Sequence, residues 1–429
     1  MTDTETMLAI LEKAGWAITQ DPADADAIVV NTCAFIDSAK EESINAVLDM
    51  AQYKKQKLNY LIVAGCLSQR YKEQVLEEFP EADAVVGVND YGEIARVLEE
   101  LKSGNRPVLV RDCDAHETRN LPRKLTTPSH YAYLKIADGC DNHCTYCIIP
   151  KLRGRYESRR EDDIVKEAEQ MAKQGVKELI LVAQDTAYYG RDGDGDLPRL
   201  LRRLSEIPGI AWIRMQYCYP EHISDALILE MAQNKKIVPY LDMPIQHVSD
   251  SVLKRMGRKS RKAELLALIK ALREKVPGIV LRTSLIVGFP GETEAEFLEL
   301  VDFLRTVSLD KVGVFPYSRE EGTAAYAMDG QVAETVKKQR YETLMAVQKE
   351  VSQKINQKKI GTLMPVIIEG YDWENLCYVG RTYGDTPEVD GAAYVYSASE
   401  LEIGGIVSMR VLEAGDYDVT GEVQDESSK

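Results

Sequence analysis

Three cysteines carry the most informative chemistry in this chain. Cys140, Cys144 and Cys147 follow a Cys-x3-Cys-x2-Cys spacing, and Tyr146 directly precedes the last of them. Thiolates are the usual protein ligands of iron–sulfur clusters, and a cubane cluster takes four of them when it is fully ligated. Three thiolates can hold three irons and leave the fourth iron open to a further ligand. The spacing therefore predicts a 4Fe–4S cluster with one open iron.

A zinc site and a disulfide are the alternative interpretations of these cysteines. Structural zinc sites are closed, usually by four ligands. His143 is the only local candidate for a fourth ligand, and it lies too close to two of the cysteines to complete a tetrahedron easily. Three cysteines are an odd number for disulfides, which are rare in cytosolic proteins. The spacing is the signature of the radical S-adenosylmethionine (SAM) enzymes, so we expect a cluster that binds SAM.

Length, charge and hydropathy limit the classes of protein that the chain can belong to. A chain of 429 residues is too long for one ordinary core, so two or three domains are expected. No apolar run reaches the length of a membrane span and no signal peptide opens the chain, so we expect a cytoplasmic protein without a membrane partner. The formal net charge of −16 argues against a protein that coats nucleic acid.

The pattern of apolar segments predicts an α/β protein with three domains. Residues 1–100 alternate helix and strand, with apolar strands at 25–33, 58–66 and 82–87, and such units form a parallel sheet. Residues 101–129 contain three prolines and little periodicity, and they are predicted to be a linker.

Six successive strand–helix units follow over residues 130–358, and they predict a partial (βα)6 barrel whose loops at the carboxyl ends of the strands carry the site. The predicted strands begin near Tyr131, Val176, Ala211, Val238, Gly278 and Asp310. Residues 359–425 are rich in Val, Ile, Tyr and Gly, and they predict a small β-barrel.

A second pair of cysteines lies in the N-terminal segment. Cys33 and Cys66 each follow a predicted parallel strand, at the edge where open α/β sheets bind ligands. Two inert buried thiols are the alternative, because free cysteine is commonly buried. With a radical SAM core downstream, we interpret the pair as ligands of a second 4Fe–4S cluster.

A pocket for SAM is predicted on the barrel. The run TSLIVGFPGET (283–293) is a buried strand that breaks into a Gly-Pro-Gly loop, where Gly288 permits close backbone approach to a nucleoside. The alternative is an ordinary turn in which Glu292 or Thr293 caps the next helix. Cofactor-binding residues are predicted at Tyr146, Gln184, Ile286, Gly288 and Glu292. We predict no catalytic side chain beyond cluster-bound SAM.

Other polar residues follow the cluster loop or end predicted strands on the same side. Gln184-Asp185 and Gln246-His247 end strands, and structural hydrogen bonding is an equal alternative for them. Arg153, Arg155 and Arg159 follow the cluster loop and could meet a carboxylate, although solvated surface arginines would look the same.

The chain resembles the methylthiotransferase family along nearly the whole length of the chain, and four stretches carry this resemblance. They are NTCAFIDSA (31–39), AGCLSQRY (64–71), the cysteine motif and VGFPGET (287–293). The resemblance implies an N-terminal methylthiotransferase domain, a radical SAM barrel and a C-terminal TRAM domain. It also implies two 4Fe–4S clusters, SAM as methyl donor and radical source, an electron donor such as flavodoxin or ferredoxin, and insertion of a methylthio group at a C–H bond.

Within the family, the chain is similar to the branch that modifies the β-carbon of an aspartate in small-subunit ribosomal protein twelve. The stretches that carry this similarity are KIADGC (135–140), YLDMPIQH (240–247), GVFPYSREEGT (313–323) and GYD with YVGRTY (370–372, 378–383). The tRNA-modifying branch typically has a Pro-Val-Gln-Ser-Gly run where this chain has Pro244-Ile-Gln-His-Val248.

Charge supports the same choice of substrate. Residues 361–429 hold fourteen acidic and three basic side chains, a formal charge of −11. Such a domain would repel tRNA phosphates and attract a basic ribosomal protein. Two alternatives remain: a methylthiotransferase acting on isopentenyladenosine or threonylcarbamoyladenosine in tRNA, and a non-catalytic iron–sulfur protein.

One departure from the family pattern concerns the second cluster. The family supplies three cysteines to it, and the first precedes a sequence like Thr2-Asp-Thr-Glu-Thr-Met-Leu8 of this chain. We therefore expect the third ligand upstream of Met1, because either the start codon was assigned too late or the sequence is shortened. A variant whose second site has only two thiolates is the alternative.

Overall fold

The structure, a computed structural model, describes residues 1–114, 121–193 and 195–424. Residues 115–120 of the predicted linker and residue 425 of the predicted last domain lie outside the described residues. Thirteen α-helices and seventeen strands occur in the described ranges. The predicted α/β class is confirmed, with parallel sheets and a closed C-terminal barrel.

The α-helices are α1 (Thr2–Lys13), α2 (Asp37–Ala51), α3 (Cys66–Tyr71), α4 (Gln74–Glu78), α5 (Ile94–Lys102), α6 (Ile149–Arg153), α7 (Glu161–Lys173), α8 (Leu197–Ser205), α9 (Asp225–Gln233), α10 (Asp250–Arg255), α11 (Lys262–Lys275), α12 (Glu294–Val307) and α13 (Glu334–Gln357). The strands are β1 (Ala27–Thr32), β2 (Tyr60–Gly65), β3 (Ala84–Val86), β4 (Val108–Leu109), β5 (Tyr131–Lys135), β6 (Ala137–Asp138), β7 (Glu157–Ser158), β8 (Glu178–Val182), β9 (Trp212–Met215), β10 (Ile237–Asp242), β11 (Val280–Val287), β12 (Lys311–Pro316), β13 (Leu363–Asp372), β14 (Cys377–Thr382), β15 (Ala393–Tyr396), β16 (Ile406–Ala414) and β17 (Val419–Val423).

The chain divides into two compact units that each combine distant segments. Unit 1 consists of Met1–Thr126, Ala137–Arg159 and Ser318–Ala327. Unit 2 consists of Thr127–Ile136, Arg160–Tyr317 and Met328–Lys429. The predicted cluster loop therefore groups with the N-terminal segment, and the C-terminal barrel groups with the central sheet.

Unit 1 is built on a parallel sheet of order β1-β2-β3-β4. Strand β2 is apolar and buried along almost its whole length, as expected of a parallel strand covered on both faces. Helix α5 buries Ile94, Val97, Leu98 and Leu101, whose spacing places them on one helix face. Sequence reasoning missed β4, because two residues after a proline show no periodicity.

Unit 2 contains an open six-stranded sheet of order β12-β11-β10-β9-β8-β5. All its neighbouring strands are parallel, as the repeated strand–helix units predict. The same unit contains a closed five-stranded barrel of order β13-β14-β15-β17-β16. A small core of Met364, Val366, Ile368, Val395 and other apolar side chains fills this barrel.

Charged residues are buried on the strands of unit 2 and are paired within the unit. Lys311 on β12 donates to Asp385 of the C-terminal barrel at 2.6 Å. Arg282 on β11 lies 3.1 Å from Asp242 and 3.7 Å from Asp390. Burying a charge is costly unless it is paired, so these contacts explain how a polar sheet interior is tolerated.

None of the helices in the described part of the chain combines the length and apolar composition that crossing a bilayer requires.

Candidate iron–sulfur and cofactor site

The cysteine motif lies on a loop that is closed at its base by two short strands. Strands β6 and β7 pair antiparallel, with Ala137 opposite Ser158 and Asp138 opposite Glu157. Inside this ribbon, the Cys140 N–H donates to the Gly154 carbonyl at 3.1 Å. The ribbon therefore fixes both ends of the segment that carries the three thiols.

The three thiols of the motif are partly or fully sheltered from solvent. Cys140 and Cys144 are buried, and Cys147 is half-buried. The Asn142 N–H donates to Cys140 Sγ at 3.4 Å, and the Cys147 N–H donates to the Cys144 carbonyl at 3.0 Å. Amide groups that donate to sulfur, as Asn142 does here, are common around the sulfurs of iron–sulfur clusters.

Electrostatics explains why this arrangement suits a cluster better than free thiols. Burial, together with the neighbouring Cys144 and Cys140, raises the pKa of Cys147 to about 12, and a hydrogen bond from the Ile149 backbone opposes that rise. Iron cations reverse this effect, because a coordinating thiol is deprotonated outright. The three thiols therefore fit the predicted cluster.

Gly139 is required by the shape of this loop. Its φ is +76°, and a Cβ at this position would lie 1.9 Å from the carbonyl oxygen of Arg155. We expect Gly139→Ala to displace the strand that precedes Cys140 and to lower the iron bound per chain after anaerobic reconstitution.

The matched control for that prediction is Gly175→Ala. Gly175 has a φ of +99°, but a Cβ added there would meet no other atom within 4 Å, so the substitution costs only backbone strain, on the order of 1 kcal/mol. Iron content at the parental value in Gly139→Ala, measured beside this control, would contradict the steric argument.

Cys33 and Cys66 come together at one edge of the N-terminal sheet. Strands β1 and β2 are parallel neighbours in which Thr32 faces Gly65, so the next residue of each strand lies at the same edge. Cys66 is buried, whereas Cys33 is exposed. The Ser43 hydroxyl accepts from the Cys33 N–H at 2.9 Å and donates to the Cys33 carbonyl at 3.0 Å.

Three further polar groups of unit 1 surround Cys66. Burial raises the pKa of the Cys66 thiol, and the nearby positive charge of Arg153 opposes that rise. The Tyr91 side chain is 6% exposed, and its hydroxyl has no hydrogen-bond partner among the described residues. Asp3, Arg153 and Cys66 all lie within electrostatic range of that hydroxyl. A buried donor without a partner in the electrostatic range of the Cys66 thiol fits a cluster, whose sulfides accept hydrogen bonds.

A segment from later in the chain supports both cysteine sites. The Ala325 N–H donates to the Thr145 carbonyl of the cluster loop at 2.8 Å. Glu320 is buried and lies 3.3 Å from Arg70 of α3, the helix that Cys66 begins, and 3.0 Å from Lys40 of α2. Sequence reasoning had no signal for this role, since these partners are separated by more than 170 positions.

The predicted SAM-pocket residues are distributed over both units. Tyr146 is half-buried on the cluster loop of unit 1. In unit 2, Gln184 follows β8, and its Oε1 is buried without a hydrogen-bond partner among the described residues. Ile286 lies on β11, and its N–H donates to the Gln246 carbonyl at 2.8 Å. Gln246 itself has a φ of +69°, a strained conformation for a residue other than glycine.

The Gly-Pro-Gly loop is held by contacts within unit 2. A Cβ on Gly288 would lie 2.3 Å from Lys337 Cγ. The Phe289 N–H donates to Glu292 at 3.0 Å, and Arg340 donates to the same carboxyl group at 3.1 Å. Burial raises the pKa of Glu292, and Arg340 opposes that rise. These contacts give Glu292 the role of fixing the loop, and Thr293 caps α12.

The remaining predicted polar residues have partners inside the protein. Asp185 is buried and lies 2.6 Å from His222 Nδ1. His247 Nδ1 accepts from the Ser249 N–H at 3.0 Å, and burial lowers the pKa of His247 to about 3, so its ring is neutral. Arg153 does meet carboxylates, those of Asp3 and Asp138, each at 3.0 Å.

Comparison with protein families matches three segments of the chain. Residues 134–304 match the radical SAM superfamily, residues 360–423 match the TRAM domain, and residues 1–87 match the uncharacterized protein family UPF0004. These segments correspond to the central sheet, the closed barrel and the N-terminal sheet.

Curated relatives match the chain along its length. A protein of Acetivibrio thermocellus named ribosomal protein uS12 methylthiotransferase RimO is 50% identical over 100% of this chain and 97% of its own length. Proteins of the same name from Thermoanaerobacter sp. and Clostridium tetani are each 47% identical, over 98% and 100% of this chain and 96% of their own lengths.

Solved structures share the fold at low sequence identity. The radical SAM methyltransferase TsrM from Kitasatospora setae, with cobalamin and a 4Fe–4S cluster bound, has a TM-score of 0.59 at 14% identity. That match covers 85% of this chain and 77% of TsrM. The radical SAM enzyme OxsB, with aqua-cobalamin and SAM bound, has a TM-score of 0.51 at 14% identity over 82% of this chain and 54% of OxsB.

Proposed function

The chain belongs to the RimO family of radical SAM methylthiotransferases, and from that membership we propose that it adds a methylthio group to the β-carbon of an aspartate in ribosomal protein uS12. The observation that carries the proposal is the ribbon-closed loop that gathers Cys140, Cys144 and Cys147. A ribosomal protein as substrate implies action in the cytoplasm.

The cofactors define the type of chemistry, and the protein holds them. A 4Fe–4S cluster with SAM bound to its open iron supplies one-electron cleavage of SAM and a radical that removes hydrogen from carbon. Cys140, Cys144 and Cys147 hold that cluster as thiolates. Tyr146, Gln184, Ile286, Gly288 and Glu292 are proposed to line the SAM pocket. We assign no side chain as a general acid or base.

A second cluster is proposed at the edge of the N-terminal sheet. Cys33 and Cys66 supply two of its ligands, and their position at the ends of adjacent parallel strands supports the assignment. The resemblance to the family implies a third cysteine ligand for this cluster. A small electron-transfer protein such as flavodoxin or ferredoxin is proposed to reduce the clusters.

The C-terminal barrel is proposed to attract the protein substrate by charge. Two of its acidic side chains are paired within unit 2, where Asp385 pairs with Lys311 and Asp390 lies near Arg282. Glu374, Glu400, Glu402, Glu413 and Glu422 nevertheless remain exposed. A surface of this charge favours a basic protein over a tRNA.

We propose a methylthiotransferase domain at residues 1–100 and a linker at residues 101–129. The radical SAM domain is proposed to span residues 130–358, and the TRAM domain residues 359–425. In unit 1, residues 137–159 and 318–327 pack with the proposed methylthiotransferase domain.

A substrate competition assay tests the proposed function. The reconstituted chain is supplied with SAM, a low-potential reductant, sulfide as the source of the added sulfur, uS12 and a tRNA that contains isopentenyladenosine. We expect one methylthio group on an aspartate of uS12 and none on the tRNA, because the exposed carboxylates repel phosphate. Mass spectrometry of both substrates provides the measurement, with uS12 lacking that aspartate as the control.

Two results would refute the assignment in different ways. Modification of the tRNA with uS12 untouched would place the chain in the tRNA-modifying branch. A chain that binds iron but neither cleaves SAM nor modifies either substrate would be a non-catalytic iron–sulfur protein.

A further inference from the structure

The β13–β14 hairpin of the C-terminal barrel carries three aromatic rings that pack on one another. Tyr371 and Tyr378 are paired across the two strands, and their ring centroids lie 4.9 Å apart. The ring of Trp373, the first residue after β13, has its centroid 4.7 Å from that of Tyr371. Both contacts are edge-to-face, which is a favourable arrangement for aromatic rings. We call Tyr371, Trp373 and Tyr378 the aromatic cluster.

The tip of this hairpin exposes a large apolar surface. Trp373 is 80% exposed, and Leu376 in the same turn is 67% exposed. Single apolar side chains on a surface are ordinary, but several together mark places where another molecule binds. Tryptophan and tyrosine are also enriched among the residues that contribute most to protein–protein affinity. The hairpin tip therefore has the composition of a contact surface.

Hydrogen bonds fix the aromatic cluster in place. In the turn, the Asp372 carboxylate accepts from the Glu374 N–H at 2.9 Å, and from the N–H and the side-chain amide of Asn375 at 3.1 and 2.7 Å. The Tyr378 hydroxyl accepts from the Leu401 N–H at 3.0 Å. Rings that are already ordered lose little conformational entropy when a partner binds.

Four carboxylates flank the aromatic cluster: those of Asp372, Glu374, Glu400 and Glu402. The first two are the sequence neighbours of Trp373, and the last two are the neighbours of Leu401, whose N–H contacts Tyr378. The three glutamates are exposed, and within the described residues none of them has an ion-pair partner. Neither 371–380 nor 392–405 contains a lysine or an arginine. The surface around the rings is therefore acidic and uncompensated.

We propose that the aromatic cluster and its flanking carboxylates form a docking site for a cationic side chain of the basic substrate protein, with arginine favoured over lysine. The inference rests on the proposed function, because it names the place on the C-terminal barrel that holds uS12. Aromatic faces attract cations, and a carboxylate accepts charge-assisted hydrogen bonds from the same cation. Arginine is favoured because its planar guanidinium stacks on rings. The four carboxylates repel the phosphates of an RNA.

Three variants of the full chain separate the contribution of the rings from that of the charges. Trp373→Ala removes the exposed ring, and Trp373→Phe keeps a smaller one. The double variant Glu400→Gln with Glu402→Gln removes two flanking charges and leaves the rings in place. Because the altered side chains are exposed, we expect all three variants to fold.

Tyr417→Ala is the matched control. Tyr417 is an exposed ring of the same barrel, 42% accessible, in the turn between β16 and β17. Leu363 of β13 pairs with Arg410 of β16, so this turn lies at the end of the barrel opposite the β13–β14 turn. Its neighbour Asp416 is already paired, with Lys349 at 2.9 Å. The control therefore removes an exposed ring beside a carboxylate that is not available to a partner.

The primary measurement is the affinity of each reconstituted variant for fluorescently labelled uS12, followed by anisotropy at low and at physiological salt. We expect Trp373→Ala to weaken binding about tenfold or more at both salt concentrations, as is typical for a central aromatic contact. Trp373→Phe should lose less, and Tyr417→Ala should bind as the parent does. The glutamine double variant should weaken binding mainly at low salt, because salt screens exposed charges. In methylthio transfer, the KM for uS12 should rise in Trp373→Ala by more than kcat falls.

Each other outcome overturns the proposal. Parental affinity in Trp373→Ala, or an equal loss in Tyr417→Ala, refutes the docking site. If Trp373→Ala does not fold, the comparison rests on Trp373→Phe, and parental affinity there refutes the proposal. A parent that dimerises through Trp373, seen as a monomer only in Trp373→Ala, assigns the rings to a second copy of the chain. Loss of affinity for a tRNA instead of uS12 assigns them to RNA.

Failure of this inference is distinguishable from failure of the proposed function. If the parent methylthiolates uS12 and Trp373→Ala binds uS12 with parental affinity, only the docking site is refuted. If the parent neither binds nor modifies uS12, the proposed function is refuted and the docking site with it.

Discussion

Cys144→Ala is expected to abolish SAM cleavage and methylthio transfer. Each of the three thiolates in the motif is expected to hold one iron of the predicted cluster, and Cys144 is buried and lies between the other two in the sequence. A cluster with only two protein ligands would be released during reconstitution. Without it, no iron remains to bind SAM, and the protein itself offers no group that can break an unactivated C–H bond.

The measurement is iron and sulfide content together with formation of 5′-deoxyadenosine and methylthiolated uS12. Cys377→Ala is the matched control, because Cys377 is also buried but lies on β14 of the C-terminal barrel. We expect it to keep parental iron and activity. Parental SAM cleavage in Cys144→Ala would refute the cluster assignment, and zinc in place of iron in the parent would favour the closed metal site instead.

Glu178→Gln is expected to produce a large loss of stability. Glu178 is fully buried at the start of β8 and accepts from Arg214 and from Arg381, each at 2.7 Å. Removing one partner of a buried ion pair leaves uncompensated charge, which typically costs about 3–5 kcal/mol. Here two buried arginines lose their shared carboxylate, so we expect a loss of that order in the free energy of unfolding.

Chemical denaturation followed by circular dichroism measures this loss. The matched control is Glu274→Gln, which removes a carboxylate from an exposed pair with Lys270 at 3.8 Å. Exposed pairs of this kind contribute about 0.5 kcal/mol or less. Equal unfolding midpoints for Glu178→Gln and the control would show that the ion pairs on β8 do not stabilise unit 2.

The same carboxylate predicts how stability depends on pH. Burial alone would raise the pKa of Glu178, but Arg214 and Arg381 hold it below the usual value. A lowered folded pKa means that the stabilisation is complete above the unfolded pKa, about 4.3, and is lost as pH falls through the folded value. We therefore expect acid unfolding of the parent to include a contribution below about pH 4 that Glu178→Gln lacks.

Sequence reasoning performed best where the relevant residues are close in the chain or follow from strand order. The Cys140–Cys147 motif spans one loop, so its spacing alone predicted a common site. Cys33 and Cys66 each follow an apolar segment, and parallel neighbours bring their carboxyl ends to one edge. The six strands of unit 2 begin within two residues of the predicted positions.

The predicted SAM pocket shows the limit of motif reasoning. Gly288 has a φ of +71° and is packed against Lys337, which agrees with a loop that needs glycine. Glu292, however, is occupied by Arg340 and by the Phe289 N–H, partners that no spacing rule identifies. Its assignment to cofactor binding, like those of Tyr146, Gln184 and Ile286, stays a prediction.

The sequence by itself determined the chemistry, because thiol spacing, glycine positions and strand periodicity are local properties of the chain. Only the tertiary structure decided which charges meet. Arg153 contacts Asp3 across 150 positions, and Arg381 contacts Glu178 across 203. Such pairs depend on how whole elements pack, and periodicity carries no information about them. The three cysteines of the loop were therefore predictable from their order in the sequence, whereas the two carboxylate partners of Arg153 became known only from the fold.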